Sequence, residues 1–510
     1  MHGSLEGFVK VYRAVLMTGL LAAASMSLHA ATYYVDSERG DDARSGVSPA
    51  YAWKTLGHVN AAHFRAGDAI LLHAGSRWQG QLVLGSSGAE GKPIVVDSYG
   101  DGPMPRIDGD GAVEDVVRIE NVEHVEVRHI EITNHGTEPA VRRGVLIAVT
   151  NFGTAHQVRV TDLYIHDVNG TNEIKENGGI IFRMVGDRKL SRFDGLTIER
   201  NIVWKVDRSA IAGNSPTPFR STWFPSLHVV IRDNYVEDVG GDGIVPWNTD
   251  GVLVEHNVVK HCNRRSGSYN AGIWPWSADN SVFRLNEAAF THTTHDGEGF
   301  DSDYNSRNTH FLYNYSHDNE GGFMLICTPV KRDQAENIGN TGTVIRYNIS
   351  RNDHARIFNL SGADDTTVEH NAVYVGPEDD VQILLVSSWD GWSKGAVFRK
   401  NTFVAAGTGR FGHEVARNEA GQYTIAPGWG DAKGIVFEGN AYFGNNVDIP
   451  EDAGAVVDRK LPAAAINWNE PEFDAARPET FAVYLARHRA WMMRLFEQQF
   501  GVALRAADAR

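Results

Sequence analysis

The chain has 510 residues, 42% of them hydrophobic and 22% charged, with a formal net charge of −16. This composition excludes a disordered, collagen-like or coiled-coil chain, and so acidic a surface repels phosphate backbones, which excludes nucleic acid as a partner. The two cysteines, Cys262 and Cys327, are too few for a disulfide scaffold or a four-thiolate zinc site and are expected as small buried residues.

Residues 1–30 have Lys10 and Arg13 ahead of an apolar run that ends in Leu28-His29-Ala30. A basic start, a short apolar stretch and a small residue at the end have the form of a secretory leader. The run is shorter than the roughly 20 residues a membrane span needs. The expectation is a secreted or periplasmic protein, without membrane insertion and monomeric. Residues 31–110, with Tyr33-Tyr34-Val35-Asp36 and Trp53-Lys54-Thr55-Leu56, are expected to form an N-terminal cap and the first coils.

From residue 111 to 447 one pattern recurs: an apolar residue, two mostly polar ones, then asparagine. The nine asparagines are Asn201, Asn234, Asn257, Asn286, Asn314, Asn348, Asn371, Asn401 and Asn440, and successive ones lie 33, 23, 29, 28, 34, 23, 30 and 39 residues apart. A minimum unit with variable insertions is the mark of a solenoid. Alternating apolar residues make each unit a set of short strands. Coils stacked at about 4.8 Å would let an asparagine at one corner bond its neighbours above and below. The fold expected is a right-handed parallel β-helix. In the C-terminal extension, 448–510, Phe481, Tyr484, Leu485, His488, Trp491, Met492, Leu495 and Phe496 recur at helical spacing after Pro478 and Thr480. They predict an amphipathic helix packed on the solenoid or its end.

A second strand follows each asparagine and is marked by a small residue and then an apolar one, as in Gly243-Ile244, Gly272-Ile273, Gly299-Phe300 and Gly322-Phe323. If these apolar residues point inward, the residues one and three later point outward. The outer stripe then reads Val245 with Trp247, Trp274 with Trp276, Asp301 with Asp303, and Met324 with Ile326, followed by Arg356 and Phe358. Exposed tryptophans need something to cover them. Trp247, Trp274 and Trp276 are therefore expected as a platform for sugar rings, unless a long insertion such as 214–227 or 328–341 folds over them.

Beside them, Asp296, Glu298, Asp301 and Asp303 place four carboxylates within eight positions. Asp301 and Asp303, two apart on one strand face, have Cα atoms about 6.6 Å apart. Carboxylates this close cannot all ionise freely, so at least one pKa rises or a cation binds. The first outcome suits glycoside hydrolysis and the second suits calcium. Asp301 and Asp303 are the leading catalytic candidates, with Glu298, Glu320 and His317 as further ones. Arg356 and Lys331 are candidates for holding a substrate.

Two stretches carry a resemblance. The cap, from Tyr33-Tyr34-Val35-Asp36 through Gly40-Asp41-Asp42 and Trp53-Lys54-Thr55-Leu56 to Ala66-Gly67-Asp68, is similar to the start of many secreted β-helix proteins, including family nine pectate lyases and several glycoside hydrolase families. Asp296-Gly297-Glu298-Gly299-Phe300-Asp301 resembles the calcium-binding stretch of those lyases, which implies Asp296 and Asp301 as calcium ligands. Gly322-Phe323-Met324-Leu325 resembles their Gly-Phe-Lys-Leu, so the lysine that is their base falls on Met324, a thioether that cannot take a proton.

The leading expectation is a secreted glycoside hydrolase acting on a polysaccharide and requiring no cofactor. The alternative is a calcium-assisted lyase or epimerase of uronate polymers whose base is Lys331, Arg356 or His317. A third is a carbohydrate-binding solenoid without catalysis.

Overall fold

The computed structural model describes residues 30–215, 220–292, 295–328, 337–389, 391–419, 422–462 and 466–501. The leader-like segment through residue 29, and Lys331, lie outside the described residues. Among the described residues no helix is long and apolar enough to cross a membrane.

The chain is a right-handed parallel β-helix. One sheet has fifteen parallel strands, from Thr32–Val35 to Asp452–Ala453. Thr32–Val35 already pairs with Ala69–His73, so the first coil begins inside the expected cap. The apolar member of each repeat faces the core. Ile198, Ile231, Val254, Phe283, Phe311, Ile345, Val368, Phe398 and Phe437 are all buried, and Phe283 stacks on Phe311 at 4.8 Å between ring centres.

The asparagines form the expected ladder. The backbone N–H of each donates to the Oδ1 of the next at 2.8–3.1 Å, from Asn201 through to Asn440. The side-chain Nδ2 donates to that same oxygen and to a backbone carbonyl one coil back, as Asn257 does to Asn286 Oδ1 at 3.0 Å and Ile231 O at 2.9 Å. Every buried corner amide is thus satisfied, which burial demands. The coil runs past the expected boundary at 447. Asp452 occupies the next corner and accepts from Asn440 Nδ2 at 2.7 Å and Tyr442 Oη at 2.9 Å. A search keyed to asparagine misses this aspartate.

A second face of the coil carries the C-terminal helix, Phe481–Phe500. The helix runs along the coil: Phe481 and Tyr484 pack on Tyr164, Ile202 and Tyr235, while Trp491, Met492 and Leu495 pack on Leu285, Tyr315 and Ile349. Twenty residues span about 30 Å, enough to cross roughly six coils.

A third face, made of strands Ser209–Asn214, Asp242–Val245, Glu298–Ser302, Gly322–Cys327, Arg356–Ser361 and Asp380–Ser387, corrects the expected register. Ile244 lies beside Ile273 and Ile273 beside Phe300. Phe300 then aligns with Met324, and Met324 with Phe358. Met324, Ile326 and Phe358 are therefore fully buried core residues, and the outward residues of that coil are Leu325 and Cys327. The two Gly-Phe pairs are not equivalent. Gly299 faces the interior near Asn319 and Ser316, whereas Gly322 occupies the outward row at φ +131°, where a Cβ would lie 1.7 Å from Arg356 O. Met324, the residue that falls at the position of the lyases' lysine, faces the core.

Candidate functional site

Two outward rows run across this face, one with Asp242, Glu298, Gly322 and Arg356, the other with Val245, Trp274, Asp301 and Leu325. Trp247 pairs with Trp276 on the neighbouring sheet. A cleft of about 490 Å³ lies over part of this face, within the range of small-ligand pockets. Asp296, Asp301 and Asp303 line it together with Trp274, Trp276, Tyr304, Cys327 and Trp389.

The acids differ in what holds them. Glu298 is fully buried and ion-paired with Arg356 at 3.1 Å; the side-chain-free Gly322 between them in the row leaves room for that reach. Burial pushes Glu298 up to about 8, with Arg356 opposing. Neither residue lines the cleft, so Glu298 sits behind the aspartates and Arg356 is paired with it. Asp303 Oδ1 accepts from the Tyr304 N–H at 2.7 Å and from Cys327 Sγ at 3.3 Å. Burial raises Asp303 to about 7 against these two donors. Asp301 is 5% exposed and its Oδ1 has no hydrogen-bond partner; burial and then Asp303, Asp296 and Glu298 push it well above the usual carboxylate range. Burial carries Asp296 up to about 6, with Arg356 and Lys175 pulling it back.

The tryptophans are placed unequally. Trp247 is buried, its ring 3.7 Å centre to centre from that of Trp276, so it supports the platform without lining the cleft. The described part of the 214–227 insertion packs alongside: Trp223 Nε1 donates to Ser277 O at 3.3 Å and Arg220 pairs with Asp279. Trp274 and Trp276 do reach the cleft. Trp274 is fixed by its Nε1, which donates to Asp242 Oδ1 at 2.9 Å. Lys175 Nζ lies 4.5 Å over the same ring and donates to Asp242 Oδ2 at 2.8 Å, and Arg208 reaches that oxygen at 2.8 Å too. Although burial raises Asp242, these two cations hold it below the usual range.

Two candidates fall elsewhere. His317 is buried on the helix face, with Nδ1 2.7 Å from Asp318 and Nε2 3.4 Å from Glu287, sealed from the cleft. Glu320 is exposed and bonded to His292 at 2.9 Å; Gly322, not Glu320, stands across from Glu298.

Lys175, Asp242, Tyr304, Trp389 and Arg417 were missed in the sequence. Asp242 precedes Gly243 as Glu298 precedes Gly299, which is the signal that would have found it. Trp389 comes from an irregular segment. An antiparallel hairpin, Thr402–Arg417 with Tyr423–Ala426, carries Arg417 to the cleft, and Trp389 Nε1 donates to Tyr423 Oη at 3.0 Å.

Calcium fits these donors poorly. Asp301, Asp303 and Cys327 offer ligand atoms within 4.8 Å of one another, and Asp296 is outside that group. Calcium takes six to eight oxygens, and a sulfur occupies the third position here.

No family model matches the chain. A lacto-N-biosidase of Bifidobacterium longum subsp. longum is 30% identical over 475 residues, covering 74% of this chain and 29% of that protein. The chain therefore spans less than a third of that relative's length. The crystal structure of a GH136 lacto-N-biosidase from Eubacterium ramulus is 26% identical, with a TM-score of 0.59, over 74% of this chain and 67% of that one. Its selenomethionine form, 24% identical with a TM-score of 0.60 over 84% of this chain and 68% of that one, shares the fold.

Proposed function

We propose that the chain is a secreted glycoside hydrolase that cleaves its substrate in this cleft, with Asp303 and Asp296 as the working carboxyls. The observation that carries the reading is that Asp296, Asp301 and Asp303 line one cleft together with Trp274, Trp276, Tyr304 and Trp389. Glycoside hydrolysis asks for one carboxyl that protonates the leaving oxygen and a second, ionised one that attacks the anomeric carbon or activates water. Asp303 is one of the pair: the Tyr304 N–H and the Cys327 thiol donate to it, bonds that favour the anion against the burial that holds it at about 7. Asp296, raised by burial to about 6, is the other. Asp301, between them with one oxygen unpartnered, holds its proton and spaces the pair. The faces of Trp274 and Trp276 pack on the C–H faces of sugar rings.

The relatives' shared name makes a lacto-N-bioside the first substrate to offer, within the wider class of polysaccharides and their fragments. The leader-like first thirty residues support export. No cofactor is required in this reading. Of the competing lyase's candidate bases among the described residues, Arg356 is paired with Glu298 and His317 lies under the helix.

The test offers the protein a chromogenic lacto-N-bioside and a panel of neutral and uronate polysaccharides, with and without a calcium chelator. New reducing ends without unsaturated-uronate absorbance, insensitive to chelator, are expected. Unsaturated products that disappear with chelator, or binding without turnover, would overturn the reading.

A further inference from the structure

Two groups of described side chains converge as metal ligands do: Glu287, His317 and Glu470 on the helix face, and Asp301, Asp303 and Cys327 in the cleft. The first already holds its own cation, since Lys260 Nζ is 2.8 Å from Glu287. The second does not. Asp301 Oδ1 is buried and without a hydrogen-bond partner, on a residue 5% exposed. Cys327 Sγ is already 3.3 Å from Asp303 Oδ1. All three residues line the cleft, so a fourth position opens toward solvent.

We infer that Asp301, Asp303 and Cys327 bind a borderline-soft divalent cation, zinc being the probe, and that the bound ion closes the cleft to substrate. One thiolate and two carboxylate oxygens with an open fourth position match zinc's tetrahedral habit, and the sulfur selects against calcium and magnesium. Zinc replaces the Cys327 thiol proton and the Asp301 carboxyl proton, and both leave to the buffer, so binding tightens as pH rises. The ion adds two positive charges to a pocket of crowded acids, which favours the bound state.

Binding is measured without substrate, so it stands or falls apart from the hydrolase reading; only the inhibition rests on that reading. Zinc is titrated into the untagged protein against a chromogenic chelator, and cobalt(II) serves as the spectroscopic probe. One equivalent per chain and a thiolate-to-cobalt charge-transfer band are expected. Cys327→Ser should remove the band and weaken zinc by at least the ~10–100-fold that loss of a supporting group costs. Cys262→Ala, which removes a thiol buried in the core, should keep both. Asp301→Asn, as a second variant, should weaken zinc while keeping the band. Cobalt or zinc bound without a sulfur band, zinc affinity unchanged in Cys327→Ser, or no binding to the wild-type protein would each overturn the proposal. In the hydrolase assay, zinc should inhibit the wild type and calcium should not; a protein that binds zinc at Cys327 but turns over no glycan would leave the site standing and sink the proposed function.

Discussion

The coil buries acids on two faces, and the two sets are built differently. On the helix face Glu287 is fully buried and surrounded by basic side chains, with Lys260 at 2.8 Å, His488 at 2.7 Å and His317 at 3.4 Å. Burial raises its pKa, but these neighbours outweigh burial and hold Glu287 well below the usual range. In the cleft Asp296, Asp301 and Asp303, and behind it Glu298, all shift upward, because burial outweighs what Arg356 and Lys175 supply. A compensated cluster fixes a helix to a coil. An uncompensated one costs stability and is retained where protons must move.

The sharpest separation comes from Asp303→Asn. It should lower kcat by roughly 10²–10⁴-fold while thermal unfolding at pH 7 does not fall below the wild-type value, as measured by initial rates and calorimetry on one preparation. Wild-type rates would remove Asp303 from the mechanism.

Glu287→Gln should do the reverse. Breaking a buried, paired charge costs about 3–5 kcal/mol, seen in denaturant unfolding, with KM unchanged in the protein that remains folded. Its deficit should be full at pH 7, since a carboxylate with a depressed folded pKa stabilises above its unfolded value. The deficit should shrink as pH falls through the folded value.

Asp301→Asn should move stability the other way. Asp301 keeps its proton in the folded chain after the unfolded chain has lost it, so its contribution falls as pH rises above about 4. The amide variant should unfold at a higher temperature than wild type at pH 7, and the gap should vanish below about pH 4. A gap of the opposite sign would mean that Asp301 is ionised and paired.

The smallest effect belongs to Trp276→Ala. Loss of one stacked face is worth about 0.5–1.5 kcal/mol, a KM increase of several-fold in the substrate assay. A larger loss in thermal stability than in KM would make the ring a support for Trp247 instead of a sugar contact.

Much of this was legible in the chain because the solenoid repeats its chemistry. Nine asparagines at one offset from an apolar residue give the ladder, and the alternation after Ile244, Ile273 and Phe300 places Trp274, Trp276, Asp301 and Asp303 correctly. The alternation breaks at Gly322, where a glycine in the outward row imitates the inward glycine of the coil before. Only the partner strand distinguishes the two, so Met324, Ile326 and Phe358 were turned the wrong way. Lys175, Trp389 and Arg417 had no register to be read from, since insertions carry no period. Glu298 was seen as an acid, but its pairing with Arg356 spans two coils and leaves no mark at any fixed spacing.

The ladder's last corner has a consequence of its own. From Asn201 to Asn401 one side-chain N–H of each asparagine points toward the next coil, and one of Asn440's points to Asp452. Nine amide dipoles therefore add head to tail along the axis, as peptide dipoles do in a helix, and each polarises the next. The positive end of the row arrives at residue 452, where the chain places a carboxylate that only accepts. Asp452 is thus the counter-charge of a side-chain macrodipole built without a helix, and Asp452→Asn should loosen the final coil although the amide has the same shape.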